Sequence, residues 1–327
     1  MGTPRQRILV TGAAGFIGRA LTTALLANPA NSAARVVLLD AVPASHTDVR
    51  VEAIAGDLTD PRTISAAIGG GVDVVYHLAA VVGAAAEADY ALARRVNVDA
   101  TLNLLEQIRD SGGCCRVVYA SSIAVFGEPP PPRVDDHTVP HPTMTYGAQK
   151  RMMEIALAQF SARGWLDGLS LRLPAIVAKP VQPGAKAVFL NQLFHAFAAG
   201  QSMTMPVSSN GTSWLLSTDA CIAALLHAGQ LPHAAIGQDR TLTLPALRVT
   251  MRELIDALAR RYGGAGTQID FEPDARLEAQ FASQPPLATA TADRLGFRHD
   301  GDIDQLVRSA TRPPTPAWDI PGQPNAI

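Results

Sequence analysis

Tyr146 and Lys150 stand four residues apart in Tyr146-Gly147-Ala148-Gln149-Lys150, a spacing that puts a phenol and an ammonium on one face of a helix. A phenol ionises near pH 10, so acting as a base at neutral pH needs a fall of roughly 2–3 units, about 3–4 kcal/mol. A neighbouring cation supplies stabilisation of that kind. Ser122, in Ser121-Ser122-Ile123-Ala124-Val125-Phe126-Gly127, offers a hydroxyl that could hold a reacting oxygen beside the phenol. Strand-end serines also serve simply to satisfy backbone groups, and Tyr-Lys pairs at this spacing occur in ordinary helices. Their joint occurrence with the residues that follow gives them weight.

Thr11-Gly12-Ala13-Ala14-Gly15-Phe16-Ile17-Gly18 places three glycines between an apolar run and a helical pattern. Gly12 permits a tight turn, Gly15 lets backbone approach a pyrophosphate, and Gly18 allows helix and strand to pack closely. Phe16 and Ile17 then lie at the helix N-terminus, whose free N–H groups and positive dipole end suit an anion. Asp40 ends the next strand, where a carboxylate can accept the hydroxyls of an adenosine ribose. A 2′-phosphate there would cost on the order of 4 kcal/mol per charge pair at an effective dielectric near 20. Neither Ala41 nor Val42 supplies an offsetting cation, so NAD is expected rather than NADP. Asp57 and Leu58 follow a third strand and could cap the adenine pocket.

These groups need a scaffold that brings strand ends together. Ile8-Leu9-Val10, Val36 to Leu39, Val51 to Ile54, Val72 to Leu78 and Arg116 to Ala120 read as strands. Their continuous apolar character suits a sheet covered on both faces. Helical stretches alternate with them, the longest from about 88 to 110, and another from about 145 to 163 follows a proline-rich loop over 128–142. Alternation of this kind predicts an α/β fold, a Rossmann-type doubly wound parallel sheet. A smaller, less regular C-terminal substrate lobe should cover the carboxyl ends of the strands. The expected division is 1–174 for the NAD-binding domain, 175–312 for the substrate lobe, some of whose elements return to the NAD-binding domain, and 313–327 as a proline-rich extended tail.

The chain has 327 residues, 27 Lys and Arg against 29 Asp and Glu, and a net charge of −2. With no basic excess, nucleic acid is a poor partner. Apolar runs stop well short of the roughly 20 residues needed to span a bilayer, and no leader is visible, so no membrane and a cytoplasmic location are expected. Cys114, Cys115 and Cys221 read as reduced thiols. No metal is expected, because the histidines, His137 and His141 included, lack ligand spacing with Cys or acids.

The glycine signature with Ser122, Tyr146 and Lys150 resembles the extended short-chain dehydrogenase/reductase family, also called the NAD-dependent epimerase/dehydratase family. The fourth-strand motif is similar to His77-Leu78-Ala79-Ala80, and the helical asparagine to Asn97. The resemblance implies a Ser-Tyr-Lys catalytic set supported by Asn97. It further implies cofactor contacts from Leu78, Ala79, Ala80, Asn97, Tyr146, Lys150 and Pro174, and a homodimer paired through the helices around Asn97 and Tyr146. Met152, Ile155 and Gln159 are candidates for the outward side of such a pairing.

Departures narrow the chemistry. Ile123 and Ala124 replace the acids that family dehydratases carry after the catalytic hydroxyl, and Arg172-Leu173-Pro174-Ala175 lacks an asparagine that epimerases use on a nucleotide diphosphate. The sequence is more similar to a subgroup of the family that oxidises small sugar acids, which implies NAD-dependent oxidation of a secondary hydroxyl on a four-carbon acid. Lys179, Lys186 and Arg133 are candidates for its carboxylate, each equally readable as a solvated charge. A sugar or nucleotide-sugar 4-epimerase and a non-catalytic NAD-sensing protein remain the alternatives.

Overall fold

The computed structural model of the chain describes residues 6–43, 45–177, 189–263, 266–311 and 318–319, with 45, 318 and 319 as backbone. Seven strands form one parallel sheet in the order Thr241–Thr243, Asp167–Leu173, Arg116–Ser122, Val74–His77, Arg7–Thr11, Arg35–Asp40 and Val51–Ala55. Numbered along the chain, the order is 7-6-5-4-1-2-3, the doubly wound arrangement whose reversal point lies between the first and fourth strands.

Alternation along each strand feeds two cores. Ile8, Val10, Val36, Leu38, Val74 and Val118 enter one, beneath the helices Phe16–Ala27 and Thr218–Gln230. Leu9, Val37, Leu39, Val75 and Val117 enter the other, beneath Pro61–Ile68, Thr101–Asp110 and Thr145–Ala162. Each fully buried side chain of this size contributes about 1.5–3 kcal/mol. That two-sided burial is why the strands read as unbroken apolar runs.

The helix expected over about 88–110 runs from Tyr90 to Asp110, with a separate short helix before it and a widened turn inside it. Gly83–Ala88 ends before Asp89, whose carboxylate accepts the Leu92 N–H at 2.9 Å and starts Tyr90–Arg94. A widened turn, Arg95–Ala100, then carries Asn97 before Thr101–Asp110 resumes. The fifth strand runs to Ser122, beyond the expected Ala120.

Pro174 is buried at the point where the chain leaves the central sheet, since it has no N–H to continue the ladder. Ala175–Val177 instead pairs with Thr212–Ser217, which pairs antiparallel with Leu247–Thr250. A third core of Phe189, Leu193, Leu215, Leu254 and Leu306 sits beneath this small sheet and its helices. The chain returns to the central sheet through Thr241–Thr243. Of the proline-rich tail, Trp318–Asp319 pairs with Ser45–His46 and the rest lies outside the described residues. No helix among the described residues is long and apolar enough to cross a membrane.

Candidate active site

The glycine loop lies at the sheet's reversal point. Gly12 has φ +69°, and a Cβ there would meet the Ala79 nitrogen at 2.7 Å. Only glycine lets this turn approach the Leu78-Ala79 backbone so closely. A Cβ on Gly18 would meet the Gly12 carbonyl oxygen at 2.2 Å, so Gly18 seats the helix against the loop itself as well as against the strand. Gly15 caps Phe16–Ala27 without a side-chain acceptor, and no acid occupies the first turn. The N-terminus carrying Phe16 and Ile17 thus keeps its dipole for an outside anion.

Asp40 spans two segments: its carboxylate accepts the Ala14 N–H at 3.0 Å and the Val42 N–H at 2.9 Å. It fixes the glycine loop and still has lone pairs for ribose hydroxyls. Leu58 is buried, whereas Asp57 is exposed and accepts the Thr59 N–H at 2.8 Å. Leu78, Ala79 and Ala80 are half-buried just beyond the fourth strand, with Leu78 N–H donating to the Thr11 carbonyl at 3.2 Å. An uncapped helix, a Cβ-free cradle and a strand-end acid fit the pyrophosphate and adenosine ribose of NAD.

Across the reversal point, Ser121 and Ser122 point apart, as successive strand residues must. Ser121 donates to Glu154 at 2.6 Å. Ser122 accepts the Ala124 N–H at 3.2 Å and hydrogen-bonds the Tyr146 phenol. Gly147 brings the two elements together, because a Cβ there would meet the Ala124 carbonyl oxygen at 2.2 Å. Glu87 accepts the Tyr146 backbone N–H at 3.2 Å, placing an acid at the start of this helix.

Lys150 is fully buried and donates to the Ala120 carbonyl at 2.6 Å. Its ammonium lies 4.5 Å from the centre of the Tyr119 ring and 5.7 Å from that of Tyr146. Burial acts against both charged forms. It pushes the Tyr146 phenol up to about 12, against the lowering pull of Ser122, and the Lys150 ammonium down to about 7, against the raising pull of Glu154. The sequence argument expected the phenol to be depressed. Desolvation prevails, because the same burial that brings the cation close also removes the water that would stabilise a phenolate.

Asn97, expected in the catalytic set, is buried and accepts the Val81 N–H at 2.8 Å. Its amide donates to the Val81 carbonyl at 2.8 Å and to Gln149 at 2.7 Å. It therefore clamps the loop after the fourth strand to the Tyr-Lys helix and hydrogen-bonds none of Ser122, Tyr146 and Lys150. His77, buried between Thr11 at 2.7 Å and Thr101 at 2.9 Å, is held near 3 by burial and is a neutral spacer. Arg133 is exposed, with Asp135 at 3.9 Å, and Lys179 and Lys186 lie outside the described residues.

Sequence reasoning did not single out Gln149, Gly147 and Glu154. For Glu154 a signal was present, since it lies four residues beyond Lys150. Glu154 is buried and takes Arg172 through both oxygens at 2.9 Å.

Comparison with known proteins agrees with this geometry. The NAD dependent epimerase/dehydratase family matches residues 8–237. A D-erythronate dehydrogenase from Cupriavidus necator is 38% identical, with 93% of this chain and 97% of that protein covered. Another from Haemophilus influenzae is 32% identical, covering 93% and 98%. Among solved structures, a nucleoside-diphosphate-sugar epimerase from Agrobacterium tumefaciens is 30% identical with TM-score 0.83, covering 93% of this chain and 92% of that one. A GalE-like L-threonine dehydrogenase from Cupriavidus necator, in a holo form, is 25% identical with TM-score 0.82, covering 93% and 98%. The chain is an oxidoreductase with NAD as its cofactor, and it belongs to the NAD dependent epimerase/dehydratase family.

Proposed function

We propose that this protein oxidises a secondary hydroxyl of a small four-carbon sugar acid, D-erythronate or a near relative, with Tyr146 as the general base. The observation that carries the reading is the convergence on one phenol of the Ser122 hydroxyl and the Lys150 ammonium, the latter 5.7 Å from its ring. The substrate class is suggested by the two D-erythronate dehydrogenases at 38% and 32% identity.

Gly12, Gly15, Gly18, Phe16, Ile17 and Asp40 would hold the cofactor's pyrophosphate and adenosine, with Asp57, Leu58, Leu78, Ala79, Ala80 and Pro174 bordering it. Bound NAD supplies a hydride acceptor and a positive charge. Ser122 holds the substrate oxygen, and Tyr146 takes its proton. Lys150 lowers the cost of the phenolate and passes the proton outward. Asn97, through Val81 and Gln149, keeps these parts in register. Burial holds the phenol protonated, and a bound cofactor would supply positive charge that favours its ionisation. The test is NADH formation from NAD and D-erythronate, lost in Tyr146→Phe.

A 4-epimerase is the second reading, favoured by the likeness to the Agrobacterium tumefaciens epimerase. It predicts no net NADH. A sensor would have no use for an ionisable Tyr146. We further propose a homodimer, because Met152 and Ile155 are 50% and 56% exposed on the Tyr-Lys helix. Gln159 is exposed on the same helix, and Gly83–Ala88 and Tyr90–Arg94 pack beside it. Cys114, Cys115 and Cys221, none of them in a disulfide, suit a reducing cytoplasm. The division at 174 belongs to the same proposal, with a substrate lobe drawn from 175–312 and its elements Thr218–Gln230 and Thr241–Thr243 returned to the central sheet.

A further inference from the structure

A half-open cavity of about 240 Å³ in the C-terminal part of the chain has no role in the chemistry above. Phe197 of Phe189–Ala199, Ile255 and Ala259 of Met251–Tyr262, and Ile269 and Phe271 of Ile269–Phe271 give it apolar walls. Arg252 and Asp256 also line it, four residues apart and so on one face of their helix. The other charged side chains of that helix are engaged. Glu253 closes the capping box with Thr250, Arg260 pairs with Asp304 at 2.8 Å, and Arg261 lies 5.7 Å from the centre of the Tyr262 ring. The side chains of Arg252 and Asp256 pair neither with each other nor with any other group among the described residues. The two opposite charges left over are the two that face the cavity.

We infer that this cavity is a second ligand site, one that takes a small zwitterion with an apolar tail, an aliphatic α-amino acid. The Arg252 guanidinium offers a planar fork of donors to a carboxylate, and the Asp256 carboxylate accepts from an ammonium. Residues one helical turn apart hold their Cβ atoms about 5–6 Å from each other. Both groups can therefore close on a carboxylate and an ammonium carried by a single carbon. The tail then leaves water for the walls formed by Phe197, Ile255 and Ile269. A water molecule takes up about 30 Å³ in the liquid, so the cavity holds roughly eight non-hydrogen atoms, the size of valine or leucine. A sugar acid has no ammonium for Asp256 and no apolar tail for these walls. None of the residues given to NAD or to proton transfer lines the cavity, so the inference stands independently of the Tyr146 reading.

The test is calorimetric titration of the full-length protein, at two temperatures so that a binding event without heat at one shows at the other. The probes are L-leucine, isocaproate, which lacks the ammonium, isoamylamine, which lacks the carboxylate, and glycine, which lacks the tail. L-leucine should bind, and each of the other three should bind at least tenfold more weakly. Arg252 and Asp256 are exposed, so Arg252→Gln and Asp256→Asn leave the fold in place. Each should weaken L-leucine about tenfold or more, the loss of a hydrogen bond to a charged group. No binding of L-leucine to wild type would overturn the inference. So would an affinity unchanged in either variant, or isocaproate or isoamylamine binding as tightly as L-leucine.

Discussion

Gly147 packs so closely on Ala124 that a Cβ at position 147 would lie 2.2 Å from the Ala124 carbonyl oxygen and 3.2 Å from Pro142 Cβ. This contact sets the distance between the loop carrying Ser122 and the helix carrying Tyr146. Gly147→Ala must push the two apart, costing about 1–3 kcal/mol as other overpacked sites do. Turnover should fall more than tenfold with NAD affinity unchanged. Thermal unfolding and NADH-coupled rates check this; an unchanged midpoint with full turnover would refute it.

Asp40→Ala removes the acceptor for the Ala14 and Val42 N–H groups as well as the expected ribose contact. Hydrogen bonds to a charged group contribute about 1.5–3 kcal/mol, so NAD affinity should weaken at least tenfold, and preference over NADP should narrow. Calorimetric titration with each nucleotide measures both effects.

Lys150 has a folded-state pKa of about 7, depressed by burial. Between that value and the unfolded value near 10.4, the unfolded chain binds a proton that the folded chain does not. Stability therefore rises with pH across this window, and below about pH 7 the penalty is fully present. Lys150→Met, without cofactor, should be more stable than wild type at neutral pH by roughly 1–3 kcal/mol, allowing for the lost bond to Ala120. The gain should shrink as pH climbs toward 10, and turnover should be absent. A destabilised variant at pH 7 would contradict the assignment of burial as the dominant cause.

Asn97→Ala leaves both backbone groups of Val81 and the Gln149 carbonyl oxygen without their partner. The Val81 groups are half-buried and can turn to water, while the Gln149 side-chain oxygen is buried; one unmet buried group costs about 1–3 kcal/mol, so denaturant unfolding should show a loss of about 2 kcal/mol. The rate should fall while the pH midpoint of turnover stays fixed, because no ionising group has been touched. A shifted midpoint would return Asn97 to the proton path.

Much of this was legible in local pattern. Gly12, Asp40 and the parallel sheet follow from strand–turn–helix order, which a single chain displays. Side chains joined across distance were not legible. Asn97 reads as a family asparagine, yet its clamp on Val81 and Gln149 depends on the widened turn Arg95–Ala100, which no periodicity reveals. Glu154 reads as one more helix acid until Arg172 arrives from the sixth strand. The expected fall in the Tyr146 pKa came from counting nearby cations; burial, a property of the folded whole, moves it the other way.

The measurement that tests the central claim most directly is NADH absorbance after mixing protein, NAD and D-erythronate, run for wild type and Tyr146→Phe with NAD binding checked in both. The account predicts steady NADH formation by wild type and none by the variant, with NAD bound equally well. A flat trace from NAD-binding wild type, or turnover that survives in Tyr146→Phe, would contradict it.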